Sequence, residues 1–183
     1  MTEQLVLLTA TLITTIAGAF IGAFASSRFS YKHQAQAEQD KRRYALGERV
    51  LVPLLELRKM LRAVKHSRSK EGWAITANAA YDALDDARHL MPLSLSHLKR
   101  SVRSALGEAI GGVALSDQTP KLADSELEPY NYQWVTYADE YIEHAIDTIR
   151  RWRDAPPSTA ESVTMLDFDK WLWATERYRP GGA

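Results

Sequence analysis

Cysteine is absent from this 183-residue chain, which excludes disulfides, thiol chemistry and cysteine-ligated zinc. That suits a reducing compartment without requiring one. No useful stretch alternates apolar and polar residues at the period of a strand, and no internal repeat appears. The Gly-rich phosphate loop, the G-x-S-x-G elbow and H-E-x-x-H are missing as well. Basic residues are missing from the first 27 positions, where Glu3 is the only charged side chain. What survives these exclusions is an all-α chain with no recognisable catalytic motif.

Among the features present, the first is a hydrophobic run. From Leu5 to Ala25 the chain passes 21 residues without a charge. As a helix it would measure roughly 30 Å, the thickness of a bilayer's hydrocarbon core. Ala23-Phe24-Ala25 resembles a signal-peptidase site, but a secretory signal has a basic start and an apolar stretch of about 7–15 residues. This run is too long and its start is acidic. A buried core helix is disfavoured too, since so long an uncharged stretch needs solvent excluded on every side. Arg28, Lys32, Lys41, Arg42 and Arg43 follow closely, and bases flanking a membrane helix hold that side in the cytoplasm. The expectation is an anchor over 1–27, with its N-terminus outside.

Inside that run Ala10, Thr14, Gly18, Gly22 and Ser26 recur every four residues. Such a small-residue ridge lets two helices approach closely in lipid, so self-association through the anchor or stalk is expected.

The zero net charge hides a split. Residues 28–70 hold 12 Lys/Arg against 4 Asp/Glu, a net +8, and residues 71–183 carry a net −7. The basic part, next to the anchor, suits anionic lipid headgroups at about 1 kcal/mol per base. It equally suits packing against the acidic remainder, or plain orientation bias. Nucleic acid is not expected as a partner, because the bases lack interleaved aromatics and match no binding module.

Residues 28–46 are polar and free of proline, and read as a basic helical stalk. From 47 to 183 the pattern is a bundle of four to five helices. Val50, Leu54, Leu57, Leu61 and Val64 form one seam, broadened by Leu51 and Leu55, with Pro53 expected to kink it. Ser67 to Gly72 reads as a loop. Trp73, Ala77, Ala80, Tyr81, Leu84, Ala87 and Met91 form a second stripe, ended by Pro92. Leu95, Leu98, Val102, Leu106 and Ile110 form a third, stopped by Gly111-Gly112. Residues 114–129 read as loop. A fourth helix, Tyr130 to Arg153, carries Trp134, Ala138, Tyr141, Ile142, Ala145, Ile149 and Trp152. After Pro156-Pro157, Ser158-x-x-Glu161 fits a capping box opening a last helix with Phe168, Trp171 and Leu172. Of the near-adjacent Trp171 and Trp173, one is expected to face outward.

Two acidic stretches invite a metal site: Asp82, Asp85, Asp86 and His89, and Asp139, Glu140, Glu143, His144 and Asp147. Inward carboxylates and histidines on facing helices build dinuclear centres in bundles. At about 100° per residue, however, Asp82, Asp86 and His89 fall about 140–160° from Leu84. The second group lies mostly opposite Ala145 in the same way, with His144 on the flank. Both read as solvated faces carrying pairs such as Asp147 with Arg151. No catalytic residue, cofactor or metal ligand is therefore expected.

The expected protein is all-α: one N-terminal transmembrane helix, a basic stalk and a small cytoplasmic bundle. Its expected role is binding or scaffolding at the cytoplasmic membrane face, with lipid, another protein or its own copy as partner. A membrane-tethered effector of bacterial conflict, for phage exclusion or immunity, is the second expectation. An enzyme is not expected.

Overall fold

The computed structural model describes residues 34–63 and 69–177. The chain divides into two compact units, Met1–Arg42 and Arg43–Ala183. Of the first, only 34–42 lie among the described residues; they are helical and mostly exposed. The expected anchor lies outside the described residues. Among those described, no helix is long and apolar enough to cross a membrane.

The second unit is an all-α bundle, as the periodicities require. Helix α1 covers 43–63 and continues through Pro53. It is followed by α2 (Lys70–Ala87), a 3₁₀ turn (Leu93–Leu95), α3 (Leu98–Ile110) and a second 3₁₀ turn (Gly111–Leu115). Then come the single turn α4 (Pro120–Ala123), the long α5 (Tyr132–Asp154), the single turn α6 (Pro157–Ala160) and α7 (Phe168–Ala174). Among the described residues there is no strand.

Local chemistry sets the ends. Ser69 caps α2 by accepting from the Gly72 N–H at 3.3 Å, so the helix starts inside the stretch expected to be loop. Asn131 accepts from the Gln133 and Trp134 N–H groups and starts α5 two residues later than the pattern suggested. Gly111 ends α3 at φ +79°, a conformation that L side chains rarely adopt. The capping box at Ser158 does not form. Pro156 sits extended at the N-cap with Pro157 first in the helix, which puts Ser158 already inside the turn. The last helix is capped instead by Asp167, whose carboxylate accepts from the Lys170 N–H at 3.0 Å. That bond, with Lys170 alongside, holds the Asp167 carboxyl below its usual range.

The core is the sum of the stripes. Val50, Leu54 and Leu57 of α1, Ala77, Ala80 and Tyr81 of α2, and Val102 and Leu106 of α3 are completely buried. So are Ala138, Ile142, Ala145 and Ile149 of α5. Leu55 departs from expectation: it is 41% exposed and lies on the outer face of α1. Helix α3 is central, packing against α2, α5 and α7. Helices α1 and α5 meet at Gly47, where a Cβ would stand 2.8 Å from Cγ of Arg153. Trp171 is buried and Trp173 is 59% exposed, the split anticipated for that pair.

This packing separates core from surface on one helix. Leu84→Ala is expected to lower stability by about 2–5 kcal/mol, because Leu84 is 3% exposed. Asp86→Ala, whose partner Arg49 at 2.7 Å is itself exposed, should change it by less than about 0.5 kcal/mol. Thermal melts of the two variants check the assignment, and equal losses would contradict it.

Candidate functional site

An ionic network forms where α2, α3 and the second 3₁₀ turn meet. On α3, Lys99 and Arg103 are one turn apart and share a face. Gly111 swings the chain back against α2, and this carries Ser116 and Asp117 to the same place. Asp117 is only 10% exposed; it pairs with Arg103 and lies 3.5 Å from Lys99. Lys99 also pairs with Asp85 of α2. The Arg103 guanidinium stands 5.5 Å above the ring of Tyr81. Tyr81 donates to the Ala114 carbonyl at 2.8 Å, and Ser116 donates to Asn78 at 2.9 Å. Burial raises the Tyr81 phenol well above its ordinary pKa, with Asp117 adding to the shift. The arrangement can orient charge between three elements. It presents no nucleophile beside a base.

A second network joins α1 to α5 and corrects the reading of the acidic face. Asp139 was expected in solvent, yet its side chain is 19% exposed, 3.2 Å from Arg58 and 3.1 Å from Arg62. Arg58 also pairs with Glu143. The wheel assigns Asp139 to the solvated face of α5, but α1 lays two guanidinium groups over it. Glu140 likewise pairs with Arg177 near the ring of Trp171. Asp147 pairs with Arg150 at 3.2 Å rather than with Arg151, which donates to the buried Thr148 hydroxyl at 2.9 Å. His144 is half-buried, and desolvation followed by the Arg151 charge lowers its pKa. Asp82, Asp86 and His89 are exposed as expected. Among the described residues, no group of three or more His, Asp or Glu is placed to hold a metal ion.

Of the residues expected to meet membrane, Ala10, Thr14, Gly18, Gly22, Ser26, Arg28 and Lys32 lie outside the described residues. Lys41 and Arg42 are exposed on their helix. Arg43 is half-buried and donates to the carbonyls of Arg153 at 3.3 Å and Ala155 at 2.7 Å. It thereby satisfies the open end of α5, where a cation also meets the negative pole of the helix. Neither Arg43 as a helix clasp nor Asp117 as a network centre carried a signal in the sequence, since both depend on partners over a hundred residues or a whole helix away. No protein-family profile, curated protein or solved structure matches the chain.

Proposed function

We propose that this is a single-pass, self-associating membrane protein whose helical bundle serves as a binding or scaffolding module at the cytoplasmic membrane face. The observation that carries the reading is the uncharged run of 21 residues from Leu5 to Ala25, followed by Arg28, Lys32, Lys41, Arg42 and Arg43. The ridge Ala10, Thr14, Gly18, Gly22 and Ser26 supports association between anchors. A surface suited to a partner supports the binding role. Leu55 and Ala63 of α1 line a shallow concavity with Arg58, Lys59 and Arg62, and Val52 nearby is 60% exposed.

A reporter fused after Ala183 should behave as cytoplasmic, and the full chain should stay with membranes through an alkaline wash. A mature protein beginning at Ser26 would overturn the anchor, and a reporter active only outside would overturn the orientation.

A further inference from the structure

We propose that the cavity between the end of α2 and the start of α3 is a binding site for a phosphate group, as a free phosphate monoester or a lipid headgroup. The cavity measures about 490 Å³. Four cations line it, Arg88 after α2 and Lys99, Arg100 and Arg103 on α3, against one lining carboxylate, Asp85. Lys99 and Arg103 are engaged by Asp85 and Asp117. Arg88 and Arg100 pair with no carboxylate among the described residues, so within that set two guanidinium charges at one cavity have no anionic partner.

Two carboxylates against four cations leave a local surplus of two, which a phosphate monoester at neutral pH matches. Guanidinium is suited to the task because its planar fork meets two oxygens at once. The same wall supplies further donors. Arg103 keeps its Nε–H buried without an acceptor. His97 gives no side-chain cap at the start of α3, so the positive pole of that helix also faces this end of the cavity. Leu84, Met91, Leu95 and Leu98 add an apolar floor, room for the carbon skeleton that carries the phosphate. This inference rests on the bundle alone and does not depend on the membrane reading.

The test is calorimetric titration of the full-length protein in neutral detergent, with inorganic phosphate, at ionic strength held constant with sodium chloride. Saturable binding is expected, and Arg88→Gln and Arg100→Gln should each weaken it about tenfold, the loss of one charge-assisted contact. Lys121→Gln, an exposed base on α4, should leave it unchanged. Arg88 and Arg100 are exposed, so both variants should melt with the wild type when phosphate is absent. Water-soluble dihexanoyl phosphatidic acid separates the sources. Tighter binding than inorganic phosphate, with none by dihexanoyl phosphatidylcholine, assigns the headgroup; equal binding assigns the free phosphate monoester. The proposal fails if phosphate binding does not saturate, or if the Arg88 and Arg100 variants bind as the wild type does.

Discussion

Asp117→Ala is expected to destabilise the bundle by about 3–5 kcal/mol in a urea melt, as removing one partner of a buried pair does. Among the described residues, Asp117 is the only carboxylate paired with Arg103 and the second one near Lys99. Those cations are themselves 19% and 24% exposed, so water compensates them poorly once the carboxylate is gone. The Arg103 guanidinium would then have no carboxylate partner among the described residues. Its remaining support would be the face of Tyr81, worth about 0.5–2 kcal/mol. Asp117→Asn, which keeps an acceptor and loses the charge, should cost less. Replacing Arg103 with Met on the Asp117→Ala background should recover part of the loss, because the stranded charge goes with it. A double-mutant cycle therefore reads the coupling directly. Additive losses would mean that the pair is solvated and that Asp117 acts only through its backbone turn.

That network marks the boundary of what the sequence makes legible. Ala77, Ala80, Tyr81 and Leu84 could be read as core from spacing alone, because burial on a helix follows its 3.6-residue period. The same rule served α3 and α5. Spacing says which way a side chain leaves its own helix; it is silent on which charge another helix brings there. Asp139 therefore reads as solvent-facing on its own helix, yet it is covered because Arg58 and Arg62 approach from α1. Asp117 sits in an aperiodic stretch, where no wheel applies, and only the Gly111 turn brings it to α3. Proline also decides the cap. Ser158 follows two prolines, and a proline is most at home in the first turn, so the cap had to precede it. Asp167, just before the apolar Phe168, was the better candidate. The phosphate cavity was illegible for a different reason. Arg88 and Arg100 lie twelve residues apart across a turn, and nothing in their spacing says that they share a wall.

Tyr141→Ala should cost about 3–5 kcal/mol, the range for an aromatic side chain lost from a closed core. Tyr141 is completely buried, with its ring edge-on to Phe168 at 5.1 Å and to Trp171 at 5.4 Å. Its hydroxyl donates to the Leu166 carbonyl at 2.9 Å. One residue of α5 thus holds the segment that leads into α7 through both a ring and a hydrogen bond. Tyr141→Phe keeps the ring, so its cost should be only about 0.5–1.5 kcal/mol, the net worth of the bond. The phenol adds a pH signature. Burial lifts Tyr141, like Tyr81, far above its ordinary pKa. In the unfolded chain these phenols ionise near pH 10, so above that pH the unfolded state binds fewer protons than the folded one. The stability is complete below pH 10 and falls as pH rises beyond it. Tyr141→Phe should therefore flatten the alkaline decline while leaving neutral stability within the stated range. In near-ultraviolet circular dichroism, Tyr141→Ala should lose the aromatic signal of Phe168 and Trp171 before the far-ultraviolet helix signal falls, as α7 separates first. If the alanine variant melts no earlier than the phenylalanine one, the Tyr141 ring does not hold α7 in place.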